Sequence, residues 1–215
     1  METNNYKIGA KVIMKKAHPC GANEWEIIER QAFYKCSNLK SIRLGAKISD
    51  FANMSIYSSG IEEIEIDENN KNYRVIEDGG ICNGEKTPAL YNKAGNVFIS
   101  PIKPLGTIQT YEIPEKVEVD DKKVTVTEIF NNAFHNQYNM TNIQLPNKIE
   151  KINLSFNYCK GLTKIEIPSS IKEINSMCFD NANNLKEIRI HKKRGEVTGD
   201  PWGCIYGDKA IIWDE

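Results

Sequence analysis

The chain predicts a solenoid of stacked, strand-bearing turns, and three observations carry that reading. A phrase of about 22 residues is spoken three times between positions 126 and 190. Its apolar slots recur in step: Ile129, Ile152 and Ile174; Phe134, Phe156 and Phe179; Met140, Leu162 and Leu185; Ile143, Ile165 and Ile188; Leu145, Ile167 and Ile190. A unit this short cannot bury its own apolar side, so it must stack on a neighbour presenting the same side.

Within each unit, the alternation L-x-x-I-x-I is that of a strand with one buried face. Identical strands in successive turns then pair in parallel, ~4.8 Å apart, into one sheet along the solenoid. Pro146 and Pro168 follow two of these strands and lack the donor that a ladder needs, so they end the pairing. The stretch before each strand, as in A-F-x-x-C-x-x-L, is too short for a full helix. It suits a turn or helical stub that drops Phe and Cys inward.

The pattern I-x-x-x-A-F-x-x-C-x-x-L-x-x-I-x-I-P resembles BspA-type leucine-rich repeats, most clearly at residues 28–44 and 126–190. The resemblance implies a leucine-rich-repeat solenoid (α/β, strand-rich), right-handed, with a β-hairpin insert and capped ends. It also implies recognition of proteins or surfaces, not catalysis.

Taken in order, residues 1–27 form an N-terminal β segment that caps the open end of the solenoid, a need of terminal repeats. Residues 6–28 resemble a small bacterial domain of unknown function with the signature M-K-K-x-H-P-C-G-x-N-E-W-E-I. In that family a C-x-x-C pair follows and implies zinc. Here Cys36 is followed by Ser37, Asn38 and Leu39, which leaves His18, Cys20 and Cys36 one ligand short of a closed site.

Residues 28–66 hold two repeats, the second degraded, with Ile56 in the Phe slot. From 67 to 125 the period lapses. Y91-N-K-A-G-N-V-F reads as a hairpin, and 110–125 as two alternating runs about a polar turn at Asp120–Lys123. The strand end at Tyr111–Pro114 re-enters the solenoid. Residues 126–190 resume the repeats. Residues 191–215, with Trp202 and Trp213, close the other end, the whole being one continuous domain.

Composition excludes several functions. At 215 residues with 28 basic and 29 acidic side chains, the net charge of −1 offers no bulk attraction to nucleic acid. The basic run 191–194 is diluted by Glu187, Glu196 and Asp200. No apolar run approaches a membrane span or a signal segment. As written, the chain is expected in the cytoplasm, or at the cell surface or secreted if its N-terminus is incomplete.

Among six cysteines, Cys36, Cys159 and Cys178 fall in core slots and read as reduced, small hydrophobes. Cys20, Cys82 and Cys204 have no assignable partner. The three histidines lie in unrelated segments, and no nucleophile, phosphate-loop or metal fingerprint is present. We therefore expect no catalytic residues, no cofactor and no metal.

The remaining candidates are the outward positions of the repeat strand, before and between its two apolar residues. These are Ser41, Arg43, Glu63, Glu65, Asn142, Gln144, Lys164, Glu166, Glu187 and Arg189. The expectation is a monomeric, non-enzymatic recognition module for a protein partner. The alternative is a metal- or nucleic-acid-associated protein acting through the N-terminal HPCG segment.

Overall fold

The computed structural model describes residues 38–48, 60–199, 202 and 211–214, and the backbone of two strands before them. Those two are β1 (Ala10–Ile13) and β2 (Glu24–Ile27), paired antiparallel. β1 also pairs antiparallel with β3 (Ser41–Leu44), the first repeat strand, and β3 pairs in parallel with β4 (Glu63–Ile66). The N-terminal segment is thus continuous with the repeat sheet. Ile56, Cys20, His18, Cys36 and Cys204 lie outside the described residues.

The region without a period is built of β5 (Tyr73–Cys82), β6 (Glu85–Asn92) and β7 (Val97–Pro101), an antiparallel meander. The β5–β6 turn is Asn83-Gly84, both with positive φ (54° and 87°), the geometry that matches strand twist in a two-residue hairpin. β8 (Thr110–Glu112) rejoins the repeat ladder. β9 (Lys116–Val119) and β10 (Lys122–Thr125) then make a second hairpin through Asp120 and Asp121, again with positive φ.

The repeats contribute two sets of strands. One set is β12 (Asn142–Gln144), β14 (Lys164–Ile167) and β16 (Glu187–Ile190), followed by β17 (Ile211–Trp213). The other is β11 (Glu128–Ile129), β13 (Lys151–Ile152) and β15 (Glu173–Ile174). This second ladder is parallel, with Ile129, Ile152 and Ile174 in register, and β7 pairs with β11 at its head. The slot of these isoleucines is therefore a strand in its own right.

Two expectations need correction. The strands do not form one sheet: among the described residues there are four, ordered β2-β1-β3-β4, β10-β9, β12-β8-β5-β6-β7-β11-β13-β15 and β14-β16-β17. The apolar period records which side chains are buried; it does not record which backbones are bonded. Nor do the described residues bear out the α/β part of the expectation, since they contain strands and turns and no helix.

The reason for the missing stub lies two residues after each core phenylalanine. Asn136, Tyr158 and Asn181 occupy the left-handed region (φ 61°, 61° and 57°), which interrupts any right-handed run. Asn tolerates that conformation; Tyr158 holds it under strain, with its ring edge-on to His135 at 5.5 Å.

The core is also divided. Phe98, Phe134, Phe156 and Phe179 stack in near-parallel steps of 5.4, 5.5 and 5.7 Å, so the non-periodic region supplies the first ring of the repeat stack. Tyr91, Phe98 and Ala89 face this larger core, whereas Leu90, Ile99 and Tyr73 face a second one shared with Ile42, Leu44, Ile61 and Ile64. Around Ala89–Tyr91 and Phe98–Pro101 the β5–β6–β7 meander is a wall buried on both faces, while its β5–β6 end is exposed at Glu77, Asp78, Glu85 and Lys86.

Candidate functional site

The outward residues of the repeat strands are where a ligand surface can form, because the inward ones are spent on the core. Ile143, Ile165 and Ile188 are at most 5% exposed, while the side chains flanking them reach solvent. Asn142, Gln144, Lys164 and Glu166 are exposed; Glu187 and Arg189 are half-buried. In the N-terminal sheet Arg43, Glu63 and Glu65 are exposed and Ser41 is half-buried.

The ten residues do not make one unbroken stripe. Ser41, Arg43, Glu63 and Glu65 sit on the β3–β4 ladder, which belongs to a different sheet from β12. Asn142 and Gln144 extend onto β8, opposite Thr110 and Glu112. Those two belong to the same face and were not singled out by the period, which lapses before them. Their signal was the strand end at Tyr111–Pro114. Lys164 and Glu166 pair in register with Glu187 and Arg189, and Arg189 with Ile212, which is 36% exposed.

Charge alternates across the stack. Arg43 Nε lies 3.3 Å from Glu65, and Arg189 Nε lies 3.2 Å from Glu187 on its own strand. Register sets Lys164 beside Glu187 and Glu166 beside Arg189. Exposed pairs of this kind add little stability; their effect is to keep the face polar and close to neutral. An open groove runs between β12 and β14, lined by Glu112, Asn142, Gln144, Lys148, Lys164 and Glu166. His191 also lines it, its Nδ1 3.2 Å from Asp214 Oδ2.

The described cysteines are not placed to act as nucleophiles. Cys82, Cys159 and Cys178 are buried and outside any disulfide. Burial pushes the Cys159 thiol far up, and Cys82 up as well, away from the reactive thiolate. Cys159 Sγ donates to the Phe134 carbonyl at 3.0 Å, a structural contact between turns. Among the described residues no group of three or more His, Cys, Asp or Glu is placed to hold a metal. Nor, among them, is any helix long and apolar enough to cross a membrane.

The repeats thus present two sets of parallel strands, a phenylalanine stack and an apolar residue in every inward slot. Residues 109–199 match the BspA type leucine rich repeat region, in six copies. Residues 6–48 match a bacterial protein of unknown function (DUF951), a segment that takes in β1, β2 and the repeat strand β3. No curated protein matches the chain.

Among solved structures, the chain resembles a leucine-rich repeat protein from Eubacterium ventriosum. The TM-score is 0.53 at 22% identity, over 87% of this chain and 40% of that one. It also matches the pneumococcal vaccine antigen PcpA, with a TM-score of 0.49 at 19% identity, over 75% of this chain and 41% of that one. The chain therefore spans less than half the length of either structure. The first of these likenesses supports a leucine-rich-repeat solenoid for the fold.

Proposed function

We propose that this chain is a non-enzymatic recognition module whose strand face binds a protein partner or a protein-bearing surface. The carrying observation is the outward face of β8, β12, β14 and β16. Thr110, Glu112, Asn142, Gln144, Lys164, Glu166, Glu187 and Arg189 project there over a fully apolar inner row. A second patch, Ser41, Arg43, Glu63 and Glu65, offers the same chemistry on β3–β4. In this reading the coil is right-handed, and residues 1–27 and 191–215 cap its ends.

A polar face of mixed sign favours specificity over strong apolar burial. Arginine, with Trp and Tyr, is enriched at binding hot spots, so Arg43 and Arg189 are the first anchors to test. The experiment is a surface-display or pull-down screen repeated with alanine at Arg43, Lys164 and Arg189. Loss of at least tenfold in affinity for a specific partner is expected. Retention of every specific partner by the triple variant would remove the strand face from consideration.

A further inference from the structure

Three repeat strands, β4, β12 and β16, are each bonded to the strand before them by the same pair of amides. Thr141 and Asn142 donate to the Gln109 carbonyl (2.8 and 3.3 Å). Lys186 and Glu187 donate to that of Thr163 (2.8 and 3.3 Å), and Glu62 and Glu63 to that of Lys40 (2.8 and 3.2 Å). The equivalent bonds from Thr163 and Lys164 to the Thr141 carbonyl are missing among the described residues, and no strand pairing joins β12 to β14.

Main-chain groups alternate in direction along a strand. Thr163 and Ile167 accept from Glu187 and His191, so the amides of Lys164 and Glu166 face β12 across the gap. At its far end the slot that His191 uses to bond Ile167 is held by Pro168, which has no N–H to offer Leu145. Pro146 has the same position against β8, where pairing persists, so the proline sharpens the break without creating it.

The same two turns are firmly joined elsewhere. β11, β13 and β15 form an unbroken ladder, with Asn153 donating to Ile129 at 3.0 Å and Asn175 to Ile152 at 2.8 Å. Phe134 and Phe156 stack across the interface. At the start of the gap Gly161 packs directly on its neighbour: a Cβ there would lie 2.8 Å from the carbonyl oxygens of Tyr138 and Met140. The gap is therefore closed at Gly161 and lined by the groove residues beyond it.

We propose that the β12–β14 seam is a flex line. The strand face opens and closes there while the β11–β13–β15 ladder and the phenylalanine stack hold the turns together. β14, β16 and β17 move as one unit, bonded to each other and not to β12. The groove and its side chains Gln144 and Glu166 change width with that motion.

Residue-resolved hydrogen exchange on the full chain tests this. The amides of Lys164 and Glu166 should exchange at least tenfold faster than those of Glu187 and His191. Gly161→Ala, which wedges the closed end, should speed exchange at Lys164 and Glu166 further and leave Ile152 and Ile174 protected. Equal protection at Lys164, Glu166, Glu187 and His191 in the wild-type protein would overturn the proposal, and that comparison stands even if the variant does not fold.

Discussion

At the scale of the residue, the turns are governed by a few side chains that answer main-chain demands. Asn70 is fully buried, and its amide closes four bonds at once. Its Nδ2 donates to Gly45 at 2.8 Å and Ile48 at 3.3 Å, and its Oδ1 accepts from Asn72 at 2.8 Å and Tyr73 at 2.9 Å. One side chain thereby ties the turn after β3 to the entry of β5.

His135 makes the opposite kind of statement. Burial holds its imidazole below the ordinary value of 6.5, and a contact with Asn157 offsets that only in part. A lowered histidine favours the folded state when neutral. Its contribution is complete above about pH 6.5 and is lost as pH falls below that, because the unfolded chain takes up a proton the folded one resists. Urea unfolding at pH 7.5 and 5.5 should therefore show lower stability at the acid pH, and His135→Gln should flatten the difference. A slope unchanged by the substitution would mean other groups set the acid response.

At the scale of the element, the repeat is a ring and two strands. Phe156 is the centre of the stack, fully buried between Phe134 and Phe179. Truncation removes its buried area and leaves a cavity open to two neighbours, a loss of roughly 3–5 kcal/mol for Phe→Ala in a packed core. Phe156→Ala should cost that much by denaturant unfolding, whereas Lys164→Ala on the outward face should change stability by less than about 0.5 kcal/mol.

The five apolar slots were legible because burial is periodic. Asn83-Gly84 was an equally clear hairpin signal for β5–β6 and could have been read from the sequence. The left-handed turn at Tyr158 could not: tyrosine is a poor predictor of that conformation, and only the neighbouring turns impose it.

At the scale of the whole molecule, the β5–β6–β7 wall links two cores, and its consecutive residues serve different ones. Leu90 and Tyr91, both fully buried, face opposite sides. Leu90→Ala should lower stability by about 2–5 kcal/mol. Exchange should rise mainly at Ile42 and Ile64, with Ile152 and Ile174 less affected, as expected where local unfolding follows separate packing units. A uniform rise across both halves would show instead that the wall makes them a single cooperative unit.

The sequence alone determined that turns stack, which side chains lie inside, and which strand positions look outward. It could do so because each buried slot must be apolar wherever it recurs. Only the tertiary structure decided how the backbones pair. Among the described residues it split one expected sheet into four, and it drew Phe98 and Thr110 from a stretch without a period into the repeat ladders. It also separated Arg43 from Arg189 and opened the seam beside Gln144. The physical reason is that every residue but proline carries the same main-chain donor and acceptor, so the choice of partner leaves almost no mark in residue type.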